Sequence, residues 1–157
     1  MKIDDNIQQL INNLNGADEE CKPIMQKLIA MGEQAIPAII DACADKQKNV
    51  RWRAVWMLGQ IKPTNQEIIS ALLNALDDTE LAVRMYAVKM LSNILDGIEN
   101  GNEIRGKAVA ALEKALTDKE QWVAGSAANA LIGLGELNER TKPLILKAFN
   151  REKVVKP

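Results

Sequence analysis

Apolar residues recur along the chain at helical spacing, and the pattern itself repeats. Its first copy is Val50-Arg51-x-x-Ala54-Val55-x-Met57-Leu58-Gly59-x-Ile61. A second copy begins 33 residues later at Val83, and a more degenerate third copy begins 40 residues after that at Val123. Apolar positions at i, i+4, i+7 and i+8 lie on one face of an α-helix. A period of this length is typical of proteins built from stacked helical repeats.

A second apolar stripe precedes each copy, so each repeat contains two helices, here called A and B. Equivalent alanines of the A helices are Ala42, Ala75, Ala115 and Ala148. Pro37 and Pro143 share a phase in the first turn of a helix, where a missing N–H is tolerated. A polar turn joins A to B. Its aspartates, Asp45, Asp78 and Asp118, are expected to cap the B helices.

The pattern predicts nine helices. They lie near 4–14, 20–31, 33–44, 49–61, 66–76, 81–95, 103–116, 120–134 and 141–150. We interpret 1–157 as one domain: an N-terminal cap (1–32), repeats at 33–61, 66–95 and 103–134, and a terminal helix at 141–150. Seven extra residues in the Gly/Asn-rich segment 96–102 explain the longer second period.

The chain resembles HEAT repeats, in the short form first recognised in phycobilin lyase subunits. The segments Val50-Arg51…Ala54…Leu58-Gly59-x-Ile61 and Gly32-x-x-Ala35-Ile36-Pro37-Ala38-Ile39-Ile40 carry the resemblance, which covers roughly residues 20–150. It implies an all-α fold, a right-handed α-solenoid of antiparallel helix pairs (an ARM-type superhelix). About three and a half repeats would follow an N-terminal capping helix, with the B helices lining the concave face. The third copy has Ala124 and Ile132 in place of the Arg and Gly, so a continuous Arg ladder is not expected.

On a helical wheel, the B-helix face opposite the core carries large aromatic and basic side chains. The candidate partner-binding residues on it are Trp52, Arg53, Trp56, Met85, Tyr86, Lys89, Ser126 and Asn129. The three B segments contain no Asp or Glu, which predicts a basic–aromatic face. Trp, Tyr and Met are common binding anchors. The alternative is that each Trp only covers its neighbours' aliphatic stems. The small third repeat should leave a recess beside Met85 and Tyr86.

Other prominent residues have structural interpretations. Arg51 and Arg84 are expected to pair with an aspartate at an inter-repeat turn. Trp122 is expected to plug an A–B turn, and Cys43 shares its phase with core residues. Cys21 lies beside Lys22, so a modestly activated thiol is an open alternative there.

Composition excludes most catalytic chemistry. The chain has two cysteines and no histidine, which removes the usual general base and the commonest metal ligand. We therefore predict no catalytic residues, no metal and no cofactor. The net charge of −1 and the pI of about 5.6 argue against nucleic acid as a partner. No apolar run is long enough for a membrane span, and the N-terminus resembles no signal peptide, so a cytoplasmic protein is expected.

These features favour a non-enzymatic interaction or scaffold module that binds an acidic or aromatic protein segment on its B-helix face. One alternative is a nucleic-acid-binding protein related to HEAT-type alkylpurine DNA glycosylases. Another is an accessory subunit resembling a phycobilin lyase component. We expect a monomer, with a homodimer through the apolar edge of helix 141–150 as the alternative.

Overall fold

The computed structural model describes residues 3–61, 65–99 and 101–150, and within them the chain forms α-helices with one short 3₁₀ turn and no strand. The α-helices are α1 (Ile3–Asn12), α2 (Asp18–Ala30), α3 (Ile36–Ala42), α4 (Lys48–Leu58), α5 (Gln66–Ala75), α6 (Leu81–Leu95), α7 (Glu103–Ala115), α8 (Gln121–Gly133) and α9 (Lys142–Asn150). None of the helices described is both long and apolar enough to cross a bilayer.

Eight of the nine predicted helices appear with small shifts at their ends, and the remaining one, 33–44, is divided. The segment predicted as helix 33–44 begins with a 3₁₀ turn, Gly32–Ala35, and continues as α3. Pro37 lies in the first turn of α3, as its phase predicts. The cap α2 starts at Asp18, earlier than predicted, because three acidic residues occupy its first turn and favour the positive end of the helix dipole.

The turn aspartates bind the residue just before each B helix, whereas they were predicted to bind the first turn of the helix itself. The helices α4, α6 and α8 begin after Gln47, Glu80 and Glu120, none of which makes a side-chain cap. The carboxylates of Asp45, Asp78 and Asp118 accept the backbone N–H of those residues, at 2.7, 2.8 and 2.8 Å. The aspartates therefore order the turn before each B helix and do not cap its N–H groups.

The B helices α4, α6 and α8 pack against one another more extensively than the A helices α3, α5 and α7 do. Small buried residues on their shared faces, including Ala54, Ala87 and Ala127, permit this approach. One continuous apolar core runs through the described residues from α1 to α9.

Two Arg–Asp pairs fasten neighbouring repeats, as predicted. Arg51 donates from Nε and Nη2 to the two carboxylate oxygens of Asp78, at 2.7 and 3.0 Å. Arg84 binds Asp118 with the same geometry and the same distances. Each arginine also donates to backbone carbonyls of the turn that precedes its own helix. The two-point geometry is the strong form of this contact.

Burial alone would raise the pKa of Asp78, but the hydrogen bonds from Arg51 and from the Glu80 backbone outweigh it. With the positive charges of Arg51 and Arg84, they hold the pKa of Asp78 below its ordinary value. The pKa of Asp118 is lowered in the same way, against burial, by Arg84, by the Glu120 backbone and by Lys119. Both aspartates are therefore ionised partners of the arginines at neutral pH.

Arg105 fixes the seven-residue insertion, a role that the repeat pattern did not indicate. Its buried guanidinium donates to the carbonyls of Leu95 at 2.6 Å and Leu134 at 3.0 Å, and reaches Glu136 at 3.4 Å. One side chain thus ties the ends of α6 and α8 together.

The terminal helix α9 packs on α8 through the buried side chains of Ile145 and Ala148. Gln121 of α8 donates to the Ala148 carbonyl at 2.7 Å. Leu146 and Phe149 are 52% and 39% exposed. Helix α9 therefore keeps a partly exposed apolar edge, and the homodimer through this edge stays a prediction.

Candidate partner-binding face

An aromatic stack crosses the first two B helices. The rings of Trp52 and Tyr86 lie with their centroids 5.1 Å apart and an interplanar angle of 17°. Trp52, Trp56, Met85 and Tyr86 are half-buried and pack against the core. Part of their surface therefore does cover the helix ridge, as the packing alternative predicts, and part of it remains on the B-helix face.

A recess lies on one side of this stack, where the small side chains of the third repeat predict it. It has a volume of about 510 Å³ and is formed between α6 and α8. Its lining includes Met85, Tyr86, Lys89, Ser92, Asn93, Trp122, Ser126 and Asn129. This surface is called the α6–α8 recess below. It brings together five of the eight predicted site residues.

A smaller recess of about 300 Å³ lies on the other side of the stack, between α2 and α4. Trp52, Arg53, Trp56 and Tyr86 line it together with residues of the cap helix, including Asp18 and Glu19. Tyr86 borders both recesses. The predicted site residues therefore form two neighbouring hollows with an aromatic stack between them.

Trp122 does not plug a turn, and that prediction was wrong. Its side chain is 73% exposed and lines the α6–α8 recess. Trp122 precedes Ser126 by four residues and Asn129 by seven, so all three lie on one helix face. This spacing was present in the sequence. Comparison of the three copies does not reveal it, because the equivalent residues, Asn49 and Ala82, are small and carry no binding signal.

Arg53 is not the free cation that the helical wheel predicted. It is 2% exposed, its guanidinium lies 4.9 Å from the Trp52 ring centroid, and it donates to the Leu14 carbonyl and the Asp18 carboxylate. The helices α1 and α2 bring these partners to it, and they lie outside the repeat from which the wheel was drawn.

The B-helix face is aromatic with little free positive charge. Arg51, Arg53 and Arg84 all have aspartate partners. The segments 50–61, 83–94 and 123–134 contain four basic residues, Arg51, Arg53, Arg84 and Lys89. Of these four, Lys89 is exposed and makes no ion pair within the described ranges. The predicted basic–aromatic face is therefore corrected to an aromatic face with a cation at one point.

Neither thiol has the character of a nucleophile. Cys21 is fully buried, and its thiol contacts the Asn13 carbonyl at 3.6 Å. Burial, with the negative charge of Asp78, raises the pKa of Cys43 to about 12. Cys43 packs against the core as predicted. Over the residues described, no three His, Cys, Asp or Glu side chains are grouped to hold a metal ion.

Solved structures show what this fold is similar to. The complex of CpcE and CpcF of phycocyanin lyase from Nostoc sp. PCC7120 aligns with a TM-score of 0.72 and 20% identity, covering 92% of this chain and 98% of that one. A designed armadillo repeat protein in complex with the peptide (KR)4 aligns with a TM-score of 0.55 and 23% identity, covering 90% and 70%. These likenesses show the fold.

No curated protein sequence matches the chain. A family model described as HEAT repeats matches it twice, over residues 7–92 and 36–132. Those ranges contain the first two copies of the sequence pattern, all but the last two residues of the third, and both Arg–Asp pairs. The chain therefore belongs to the HEAT-repeat family.

Proposed function

We propose that this protein is a non-enzymatic interaction module that binds a protein segment on the face of its B helices. The α6–α8 recess is the main contact in this proposal. Met85, Tyr86, Lys89, Trp122, Ser126 and Asn129 would contact the partner directly. Trp52 and Trp56 would extend the surface past the aromatic stack.

The observation that carries the proposal is the exposure of Trp122 beside a preformed recess. Burying an indole against an apolar partner side chain removes a large area from water, and Trp and Tyr dominate binding hot spots. The core gains little from a tryptophan that is 73% exposed. A role in binding would explain why a tryptophan occupies this position, whereas packing in the core does not.

The corrected charge distribution argues against nucleic acid. A groove that follows a phosphate backbone needs several unpaired Lys or Arg side chains. On this face the three arginines are neutralised by aspartates, and Lys89 alone does not provide such a groove. A protein segment fits an aromatic recess with one cation better.

Similarity to the CpcE–CpcF complex of phycocyanin lyase supports a second candidate, an accessory subunit resembling a phycobilin lyase component. In this candidate the recess would receive a linear tetrapyrrole. The α6–α8 recess has a volume in the range of small-molecule sites. Titrating the protein with a linear tetrapyrrole tests this candidate. A saturable shift in the pigment's visible absorbance that Trp122→Ala abolishes would favour it over the protein segment.

The proposed function is tested by capture from a lysate of the source cells, followed by binding with purified components. The Trp122→Ala/Lys89→Ala variant removes the exposed indole and the exposed ammonium group of the recess. Leu137→Ala/Lys107→Ala is the matched control, since it removes an exposed leucine and an exposed lysine elsewhere. Half of each sample is treated with nuclease, and thermal stability is matched beforehand.

We expect a protein that is retained by the wild type and the control, is lost from the recess variant, and binds purified wild type in calorimetry. A partner released by nuclease would place the nucleic-acid alternative first. If the recess variant retains every partner, the assignment of this face is wrong.

A further inference from the structure

We infer that the α6–α8 recess selects an extended segment that carries a bulky apolar side chain and, about three residues away, a carboxylate. This inference rests on the proposed function, and it specifies the partner's chemistry. It follows from how the lining residues are distributed along the two helices.

Each position along α8 can be matched to a position along α6, because the two are equivalent B helices whose residue numbers differ by 40. Trp122 therefore lies level with position 82, and Asn129 lies level with Lys89. Seven residues of helix separate these two levels, which corresponds to about 10 Å along the groove. The groove thus has a distinct N-terminal end and C-terminal end.

The N-terminal end is apolar. Trp122 projects from α8, and Met85 and Tyr86 line the groove from α6. Tyr86 is held by its stack on Trp52, so this wall is already ordered before a partner arrives. Three to four residues further along, opposite Met85 and Tyr86, α8 carries only Gly125 and Ser126, so a large side chain that packs on Trp122 has room to lie in the groove.

The C-terminal end is polar and positively charged. Lys89, Asn93 and Asn129 line it, with Ser92 beside them. Amide and hydroxyl groups form hydrogen bonds with a peptide backbone. Lys89 is exposed and makes no ion pair with a carboxylate of the described residues, so its charge is accessible to a partner. A partner carboxylate at this end gains an ion pair, whereas a basic residue meets a like charge.

The short distance between the two ends favours an extended segment over a helix. A helix needs about seven residues to cover 10 Å, and so short a helix is marginal on its own in water. An extended chain covers the 10 Å between the two ends in about three residues. That sets the spacing between the apolar side chain and the carboxylate.

Parallel selections from one phage-displayed library of random 12-residue peptides test this inference. The bait proteins are wild type, Lys89→Glu, Trp122→Ala and the control Lys107→Glu. The control makes the same change in charge on α7. The best wild-type peptide is then titrated into each purified protein, following the indole N–H signals of Trp52, Trp56 and Trp122 by NMR.

We expect wild type and the control to enrich peptides with Trp, Phe or Leu about three residues from Asp or Glu. Lys89→Glu should enrich Lys or Arg in place of the acid and keep the apolar residue. It should also weaken the wild-type peptide about threefold or more. Trp122→Ala should lose the apolar preference, and the Trp122 indole should shift most in the titration.

Two sets of results would overturn the inference, and they differ in what they leave standing. Peptides without an acid, or the same acidic peptides on Lys89→Glu, would refute the charge selection and leave the recess as a binding site. Peptides that bind Trp122→Ala equally well, or no enriched peptides, would refute the proposed function of the recess too.

Discussion

Gly59, at the C-terminal end of α4, sets how closely the first two B helices approach. A Cβ at this position would lie 2.6 Å from the Met90 Cβ and 2.2 Å from its Sδ. Both distances are shorter than real Cβ contacts. Because the conflict reaches back to the Met90 Cβ, rotating the tip of the side chain does not relieve it. The glycine of the sequence pattern therefore has a packing role.

We predict that Gly59→Ala lowers the free energy of unfolding by about 1–3 kcal/mol, the usual cost of overpacking a core. Urea denaturation followed by circular dichroism measures it. Gly106→Ala is the matched control, since Gly106 lies in α7 with open space around it. There alanine should stabilise the protein by about 0.5–1 kcal/mol through helix propensity. Equal effects at both positions would contradict the packing role of Gly59.

The sequence predicted individual residues well where the repeat supplied a comparison. Arg51 and Arg84 hold the same position in two copies, so a shared partner in the following turn could be predicted for both. Arg53 and Trp122 have no counterparts of their own type. The partners of Arg53 come from α1 and α2, whose placement no repeat determines. Their environments required the three-dimensional structure.

At the scale of helices, the Arg–Asp pairs connect a B helix to the turn of the next repeat. Asp78 and Asp118 have side chains that are each 12% exposed, and their arginines are similarly covered. Each carboxylate also accepts the N–H that orders its turn. Losing one aspartate therefore affects both the contact between repeats and the start of a B helix.

The lowered pKa values of Asp78 and Asp118 fix the sign of a pH dependence. Both groups bind protons less readily in the folded chain than in the unfolded chain. Their stabilising contribution is complete above their ordinary pKa of 3.8 and is lost as the pH falls below it. We predict that the wild-type free energy of unfolding decreases from pH 5 to pH 2.5.

The Asp78→Asn/Asp118→Asn variant should be less stable at pH 7, by about 1–3 kcal/mol per site, and should show a shallower pH dependence. Urea midpoints across the pH range measure both effects. Asp77→Asn/Glu139→Gln removes two exposed negative charges, one of them from an exposed lysine pair that is worth little. It should keep the wild-type slope. If both double variants keep that slope, the pairs do not carry the pH dependence.

The helices themselves were largely predictable, because the period fixed which segments are A and which are B. The ends of the helices were less predictable. The aspartates of the A–B turns bond to the N-cap residue and not to the first helical turn, which depends on local backbone geometry. Likewise, Arg105 and its carbonyl partners lie around an insertion that departs from the period. Regularity predicts structure only where the chain is regular.

Across the whole molecule, each helix pair contacts chiefly its neighbours, so stability is shared unevenly along the stack. Helix α6 lies at the centre and packs against α4, α5, α7 and α8. Helix α9 packs on α8, and the third B helix has Ala124 where the first two have an arginine. Among the described helices, α9 is thus attached without the Arg–Asp pair that fastens the earlier repeats.

We predict that backbone amides of α6 exchange with solvent most slowly and those of α9 markedly faster, because the ends of a stack open locally before the centre does. Ile145→Ala removes a buried contact of α9 with α8 and should speed exchange in α9 and the end of α8, leaving α1–α4 unchanged. Ile7→Ala is the mirror control, since it should affect α1 and its neighbours and spare α9. Hydrogen exchange read by mass spectrometry resolves these segments. If either substitution speeds exchange equally in every helix, the stack opens as one cooperative unit, and the Arg–Asp pairs transmit stability further than one repeat.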